Sequence, residues 1–308
     1  MIMRRAAAST GALCASRAAA TSRVGKSLLP RDVVRGVASL QFRVFRDTCA
    51  SHQVRGRGIA RALSASATSG ASDKLRVVLD MDECMIYSTF DDEEENEYRQ
   101  VEERRIADEE MDRGLEKFKI VMSDGEGCVV RKRPYLNEFL EVAKTWSWCE
   151  LSAFTAGTRD YASRVLDVLD PDGSVFKGGR FYREHCTLYS NRNLFYLKDI
   201  RKCLGPEMQE ANEDDALARI VLVDNNPISF VLQPRNAILV PSWYGDASDN
   251  VFQVLPDIIC ALRDEPDVRV AMERHPGAEY TQKIVGEYRK HIMGDNHHAE
   301  GGNAKSKL

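Results

Sequence analysis

Apolar and polar positions along residues 75–265 form blocks that predict strands and helices in turn. Short apolar runs at residues 75–79, 149–154 and 220–223 are each long enough for one buried strand. Residues 136–143 instead carry their apolar side chains at helical spacing. Strands that alternate with helices favour parallel βαβ units over a sandwich. We therefore predict an α/β fold in which helices cover both faces of one parallel sheet.

Two carboxylates, Asp80 and Asp82, directly follow the first apolar run. Because they are two residues apart, we expect them on one side of the strand's C-terminal edge, where open α/β sheets bind ligands. Such a pair is stable when it shares a proton or faces a hard cation, and an oxygen-rich site of this kind suits Mg²⁺. Taken alone, the segment could also be an Asp-rich turn that caps the next helix.

Further polar residues follow later apolar segments, namely Thr155, Lys198, Asp224 and Asn225. A hydroxyl group between a strand and a helix N-terminus can hold a phosphate oxygen, and a lysine there can cancel phosphate charge. The oxygens of Asp224 and Asn225 can reach the same cation as Asp80. Singly, Thr155 is equally a helix cap, Lys198 a solvated lysine and Asp224 part of a turn. Their arrival in order at strand ends favours one shared site.

The segments between these residues limit what can cover the site. The 42 residues between Thr155 and Lys198 leave room for a small β-hairpin insertion but no large cap domain. Residues 118–121 and 128–131 are predicted to pair as strands. Residues 91–112 hold twelve carboxylates and little apolar periodicity, so we expect a solvated acidic insertion that is too polar to form a lid. An open site suits a phosphate displayed on a protein.

Composition narrows the class of protein. The chain has 308 residues, of which 43% are apolar, as is ordinary for one or two globular domains. No apolar stretch approaches the roughly 20 residues of a membrane span, so we expect a soluble protein without one. The eight cysteines include no Cys-x-x-Cys pair, which argues against a zinc site and a disulfide framework. We expect reduced thiols.

Residues 1–70 form a basic arm that differs from the acidic remainder. They contain twelve Lys and Arg residues but only two acidic residues, a net charge of +10, whereas the whole chain carries −4. An arm rich in Ala, Ser and Arg resembles an organelle transit peptide, with processing expected after Leu63. We therefore predict a mitochondrial (or plastid) location. The alternative is a disordered basic tail that binds nucleic acid, although we favour no nucleic-acid partner.

The other end carries a competing address. Residues 271–308 are predicted to form a polar C-terminal tail that ends in Ser306-Lys307-Leu308. A free C-terminal tripeptide of this kind is recognised by the peroxisomal import receptor. Since an N-terminal presequence emerges first, we give it precedence. A peroxisomal location is the alternative.

The body of the chain, residues 71–270, resembles the FCP-like or NIF-type small C-terminal-domain phosphatases of the haloacid-dehalogenase superfamily. The segments that carry the resemblance are LDMDECMIYS (79–88), RKRPYLNEFL (131–140), FTAG (154–157), YASRVLDVLDP (161–171), FYREHC (181–186), YLKDI (196–200) and VLVDNNPISFVLQPRNAILVPSW (221–243). The resemblance implies a haloacid-dehalogenase-like (Rossmannoid) domain without a large cap.

The resemblance also implies roles for individual residues. Asp80 would be the nucleophile and Asp82 the general acid and base. The phosphoryl group would be bound by Thr155, Ala156 and Lys198. Magnesium would be ligated by Asp80, the backbone of Asp82 and Asn225, with support from Asp224.

One position departs from the family pattern, since Cys84 stands where the family usually has threonine. Cysteine is similar in size but forms weak hydrogen bonds, so a looser nucleophile loop is expected. The acidic insertion is also longer than is usual for the family.

The residues and the resemblance together predict a magnesium-dependent phosphoprotein (Ser/Thr) phosphatase. Asp80 would attack phosphorus and become an aspartyl phosphate, while Asp82 would protonate the leaving alkoxide and later activate water. The partner would be a phosphorylated protein. The alternative is a presequence-binding component of the mitochondrial import machinery that uses the same fold. A small-metabolite phosphatase would need a lid that the sequence does not contain.

Overall fold

The structure, a computed structural model, describes residues 74–90, 114–191, 193–205, 213–274 and 278–294. Within these residues the central sheet has five strands in the order β10-β9-β1-β5-β6, and every neighbouring pair is parallel. Its strands are β1 (Leu75–Leu79), β5 (Cys149–Phe154), β6 (Gly179–Phe181), β9 (Ile220–Asp224) and β10 (Ala237–Leu239).

Helices cover both faces of this sheet. The six α-helices among the described residues are α1 (Leu136–Lys144), α2 (Arg159–Leu169), α3 (Glu213–Ala216), α4 (Val251–Ala261), α5 (Val268–Glu273) and α6 (Ala278–Met293). Short 3₁₀ helices lie at Arg183–His185, Ile200–Cys203, Pro227–Phe230 and Pro234–Asn236.

Side chains alternate between the two layers along β1. Val77 and Leu79 pack in the cluster that includes α1, α2 and α4, whereas Val78 packs with Ile200 and with Val285 of α6. A strand that is buried on both faces reads as a continuous apolar run, which is why the sequence reveals it. The predicted α/β fold class is confirmed.

Two small antiparallel sheets flank the central one. The first has the order β2-β4-β3, built from Ile86–Phe90, Gly127–Lys132 and Lys117–Val121. It contains the predicted pairing of residues 118–121 with residues 128–131. The second is a hairpin of β7 (Thr187–Asn191) and β8 (Asn193–Leu197), which lies between Thr155 and Lys198. The small β-hairpin insertion is thereby confirmed.

Helix α6 extends the folded body beyond residue 270. Its residues Ile284, Tyr288 and Ile292 are buried in a cluster with side chains of β8 and of the 3₁₀ helix Pro227–Phe230. The segment predicted as a polar C-terminal tail from residue 271 therefore contains a packed helix. The sequence conceals it because the apolar residues form only one narrow stripe among charged ones.

Several predicted features lie outside the described residues. These are the N-terminal arm of residues 1–70, the acidic insertion of residues 91–112 and the terminal Ser306-Lys307-Leu308. In the part of the chain that the structure describes, no helix combines the length and the apolar character that crossing a membrane requires.

Candidate active site

Three adjacent strands deliver polar residues to one edge of the central sheet. Leu79 of β1 lies opposite Ala153 of β5 and Val223 of β9. Asp80, Thr155 and Asp224 therefore emerge at nearly the same level of the sheet, where parallel strands present their carboxyl ends. The hairpin strand β8 brings Lys198 to the same edge.

Lys198 lies between two carboxylates. Its Nζ atom donates hydrogen bonds to Oδ1 of Asp80 and to Oδ2 of Asp224, the latter at 2.7 Å. Burial alone would lower the pKa of Lys198, but the carboxylates of Asp224 and Asp80 outweigh it and raise that pKa above its ordinary value. The lysine is therefore a permanent cation in a buried site.

Asp80 has more negative neighbours than positive ones. Burial raises its pKa well above the ordinary value, the Asp224 carboxylate adds to the rise, and Lys198 opposes it. The single positive charge of Lys198 can offset only one of the two carboxylates that it contacts, Asp80 and Asp224. The other carboxylate has no cationic partner among the described residues of the site. An additional cation beside Asp80 would relieve the repulsion.

Asp82 has a different environment from Asp80. Its Oδ1 accepts a 2.6 Å hydrogen bond from the Tyr161 hydroxyl, and its Oδ2 accepts one of 3.2 Å from Thr155. Burial raises the pKa of Asp82 to about 6, although the hydrogen bonds from Tyr161 and Thr155 act in the opposite direction. A carboxyl group with such a pKa can both give and take a proton near neutral pH.

The sequence alone gives Tyr161 no role at the site. In the structure its hydroxyl group also lies 2.6 Å from Oγ of Ser88 on β2. Because Tyr161 donates to Asp82, Ser88 is left to donate to Tyr161. A buried tyrosine needs a hydrogen-bond partner for its hydroxyl, and that requirement was the one available hint in the sequence.

Thr155 is held in the turn after β5 by two hydrogen bonds, and it is not the N-cap residue of helix α2. Its Oγ1 accepts a 2.8 Å hydrogen bond from the backbone N–H of Gly157, while the same hydroxyl donates to Asp82. Its contact with a phosphate oxygen stays a prediction. A Cβ at Gly157 would lie 3.1 Å from Oγ1 of Thr155, so a larger residue there would force that hydroxyl to move. Between them, Ala156 accepts a 2.6 Å hydrogen bond from Nε of Arg183 at its carbonyl oxygen.

Three oxygen atoms face one another beside Asp80. Oδ1 of Asn225 lies 3.2 Å from Oδ2 of Asp80 and 3.3 Å from the carbonyl oxygen of Asp82. The Asn225 amide nitrogen points away and donates a 2.9 Å hydrogen bond to Oγ of Ser242. Without a cation the amide would turn so that its nitrogen donates to both of these oxygens. A cation among the three oxygens would keep Oδ1 there, and carboxylate, amide and peptide oxygens are ligands that suit Mg²⁺.

The acidic side chains alone do not form this arrangement. Among the described residues, no group of three or more His, Cys, Asp or Glu side chains has the geometry of a metal site. Asp224 does not join the three oxygens, because its carboxylate binds Lys198 and the backbone N–H of Asn226. Its place fits the supporting role predicted for it, and the assignment of ligands remains a prediction.

The loop after β1 is held through its own backbone carbonyl groups rather than through the side chain of Cys84. The guanidinium group of buried Arg133 binds both oxygens of Asp249, at 2.8 and 2.7 Å, and donates at 3.0 Å to the Cys84 carbonyl. The backbone N–H of Trp243 donates to the Glu83 carbonyl at 2.8 Å. Burial raises the pKa of the Cys84 thiol, so the thiol stays neutral.

Comparison with known proteins identifies relatives of the chain. The family model of the NLI interacting factor-like phosphatases matches residues 75–269. The chain is 38% identical over 146 residues to the zebrafish (Danio rerio) CTD nuclear envelope phosphatase 1B, a match that covers 47% of this chain and 53% of the relative. It is 31% identical over 140 residues to the Saccharomyces cerevisiae nuclear envelope morphology protein 1. This match covers 46% of this chain and 30% of the yeast protein.

The match to solved structures is weaker. The structure of the fission yeast RNA polymerase II CTD phosphatase Fcp1 bound to beryllium fluoride aligns with a TM-score of 0.40 and 18% identity. The alignment covers 74% of this chain and 68% of the yeast chain. The chain spans about half the length of the first curated relative, 53%.

These relatives overturn the predicted location. The zebrafish and S. cerevisiae proteins are named for the nuclear envelope, and so is a Schizosaccharomyces pombe relative, nuclear envelope morphology protein 1. The mitochondrial (or plastid) location and the peroxisomal alternative are therefore wrong, and the predicted transit peptide is without support. The prediction relied on the composition of the N-terminal arm and on a terminal tripeptide. Such features can occur in any sequence, because they do not depend on a folded structure. None of these relatives is named for protein import, and presequence partners are without support.

The match to the family model covers well over half of the chain, from β1 to the start of α5. It includes every segment on which the resemblance to NIF-type phosphatases was recognised, and that recognition is confirmed. The chain belongs to the NLI interacting factor-like phosphatase family.

Proposed function

We propose that the chain is a magnesium-dependent protein serine/threonine phosphatase that works through an aspartyl phosphate on Asp80. The observation that carries the proposal is the contrast between Asp80 and Asp82 at one sheet edge. Asp80 is paired with the cationic Lys198, whereas Asp82 is held by hydroxyl groups and has a pKa of about 6. Two carboxyl groups in unlike environments suit two unlike roles, a nucleophile and a proton carrier.

In the first step Asp80 attacks phosphorus in line with the leaving oxygen. Its Oδ1 is fixed by Lys198, and Lys198 is itself fixed by Asp224. The lysine cation is close enough to Asp80 to offset the charge of the transferring phosphoryl oxygens. Magnesium, held by Asp80, the Asp82 carbonyl and Asn225, would supply further charge neutralisation there.

Asp82 supplies and removes protons. A serine or threonine alkoxide is a poor leaving group, so Asp82 in its protonated form gives the leaving oxygen a proton. The resulting carboxylate then takes a proton from the water that hydrolyses the aspartyl phosphate. Tyr161 keeps Oδ1 of Asp82 in place through both steps, and Thr155 holds Oδ2 until its hydroxyl turns to the phosphoryl group.

The turn after β5 is proposed to bind the phosphoryl group. Thr155 lies next to Asp82 and is almost fully buried, so its hydroxyl is in a fixed position. Ala156 follows it, and its backbone N–H is proposed to donate a hydrogen bond to a phosphoryl oxygen. Substituting Gly157 would push against Oγ1 of Thr155, which makes the turn sensitive to side-chain size.

The substrate class is proposed from the site and from the relatives together. In the described residues the insertion between Thr155 and Lys198 is the hairpin β7-β8 rather than a cap domain. A phosphorylated side chain on a protein surface could reach such an edge. The zebrafish relative is a CTD nuclear envelope phosphatase, and we propose the nuclear envelope or the endoplasmic reticulum as the place of action.

An assay with Asp80→Asn tests the proposal. Wild-type protein should release phosphate from phosphoserine peptides and from an aryl phosphate when Mg²⁺ is present. Asn has the same shape as Asp but cannot attack phosphorus, so Asp80→Asn should be inactive and still folded. Asp264→Asn, at a side chain that is 95% exposed, is the matched control and should keep wild-type activity. Activity in Asp80→Asn would refute the mechanism.

A further inference from the structure

The Asn225 side chain can lie in two orientations that look alike in shape. In the one that the structure has, Oδ1 faces Asp80 and Asp82 and the amide nitrogen faces Ser242. In the reverse orientation the amide nitrogen would donate to Oδ2 of Asp80 and to the Asp82 carbonyl, and Oδ1 would accept from Ser242. The first orientation offers an oxygen to a cation, and the second offers an N–H group, which excludes one.

Ser242 does not distinguish the two orientations. Its hydroxyl group lies 2.9 Å from the Asn225 amide in either case. A hydroxyl can accept a hydrogen bond from an amide nitrogen or donate one to an amide oxygen. The choice must therefore come from another neighbour of Asn225.

Glu83 is the neighbour that distinguishes them. Its Oε2 atom lies 3.4 Å from the Asn225 amide nitrogen, a long hydrogen-bond contact. An ionised carboxylate can only accept, so it attracts the amide nitrogen and repels the amide oxygen. Glu83 thereby favours the orientation in which Oδ1 of Asn225 points to Asp80 and Asp82.

Tyr244 holds Glu83 where it can act. The Tyr244 hydroxyl donates a 2.6 Å hydrogen bond to the same Oε2 atom. The backbone of Glu83 is in the left-handed region at φ +59°, and its carbonyl accepts a 2.8 Å hydrogen bond from the backbone N–H of Trp243. A residue other than glycine takes this conformation only where its surroundings enforce it. The carboxylate is thus fixed from the backbone and from its tip.

We propose that Glu83 and Tyr244 are positioning residues that select the cation-binding orientation of Asn225. The inference rests on the magnesium site of the proposed function and adds a cause for its geometry. Partners of this kind, one step removed from a metal, set the direction in which a ligand presents its donor atom. Without them the Asn225 amide would donate to Asp80 and compete with the cation.

Magnesium binding to the full chain without substrate tests the inference, with titration calorimetry in MgCl₂ as the readout. Tyr244→Phe keeps the ring and the Glu83 charge but removes the hydrogen bond, and it should weaken Mg²⁺ binding by about 10-fold. Tyr87→Phe is the matched control. Tyr87 contacts the Tyr244 ring edge-on, with 5.7 Å between the ring centroids, and we assign it no role in holding Glu83. It should bind Mg²⁺ as the wild type does.

A second background separates orientation from general structural damage. Asn225→Asp has two oxygens and no orientation to choose, so adding Tyr244→Phe to it should cause no further loss of Mg²⁺ affinity. A loss of equal size in both backgrounds would overturn the inference, as would wild-type affinity in Tyr244→Phe alone. A wild-type chain that binds no Mg²⁺ would instead refute the proposed function, and this inference with it.

Discussion

The hydroxyl group of Tyr161 donates a 2.6 Å hydrogen bond to Oδ1 of Asp82. The tyrosine is fully buried on α2, so it fixes a carboxyl group that the loop after β1 alone would leave free to rotate. The hydrogen bond links Asp82, the proposed proton carrier, to a rigid helix. Removing the Tyr161 hydroxyl therefore measures how much this link contributes to catalysis.

We expect Tyr161→Phe to lower kcat on phosphoserine peptides by about 10-fold, a part of the 10²- to 10⁴-fold that a positioned acid supplies. Aryl phosphates have better leaving groups, so their kcat should fall less. Parallel kinetics on the two substrate types check the prediction. Tyr280→Phe, at an exposed tyrosine, is the control. An equal loss on both substrates would contradict a role through Asp82.

Removal of divalent cations should abolish activity and reduce stability. The negative charge around Asp80 exceeds the charge of Lys198, and a cation that binds only the native state raises its free energy of unfolding. Excess EDTA should therefore stop phosphate release and lower the Tm, and MgCl₂ should reverse both. Full activity in chelator would remove magnesium from the mechanism.

Lys198→Met should destabilise the fold as well as inactivate the protein. The substitution leaves Asp80 and Asp224 buried without their shared cation, which we expect to cost about 3 to 5 kcal/mol in the free energy of unfolding. Urea denaturation measures the loss, with exposed Lys177→Met as the control. Adding Asp224→Asn should recover part of the stability, since one of the two orphaned charges is then gone.

Asp199 should make part of the stability dependent on pH. Burial would raise its pKa, but hydrogen bonds and charge from Arg201, with a further hydrogen bond from Gln233, outweigh burial and lower it. A lowered folded-state pKa stabilises the protein above the unfolded-state pKa of about 3.9, and this contribution is lost as pH falls through the folded-state value.

The free energy of unfolding should therefore decline less between pH 6 and pH 3 in Asp199→Asn than in the wild type. At pH 7 the variant should be about 1 to 2 kcal/mol less stable, because a charge-assisted hydrogen bond is lost. Urea titrations at several pH values give both numbers. Asp257→Asn, on an exposed position of α4, serves as the control, and identical pH profiles for Asp199→Asn and wild type would rule out the contribution.

The parts of the site that follow strands could be predicted from the sequence. Asp80, Thr155 and Asp224 come directly at the ends of apolar runs, and parallel strands bring such ends together. The order of the motifs along the chain was therefore enough to gather them, and Lys198 with them, at one edge.

The supporting contacts could not be predicted in the same way. Tyr161 lies 79 positions from Asp82 along the chain, and Tyr244 lies 161 positions from Glu83. Nothing local marks either tyrosine, because the partner is chosen by the packing of separate elements. The orientation of Asn225 is a tertiary property for the same reason. Location failed differently, since it was inferred from composition at the two ends rather than from the folded body.

Helix α6 shows that the folded domain extends beyond the residues that match the family model. The family match ends at residue 269, whereas burial continues to Ile292. A recombinant fragment cut at 269 would retain every proposed catalytic group but expose Leu197 and Ile228, which α6 covers. Such a fragment would expose an apolar surface to solvent and should aggregate. A fragment that ends after residue 294 keeps that surface buried.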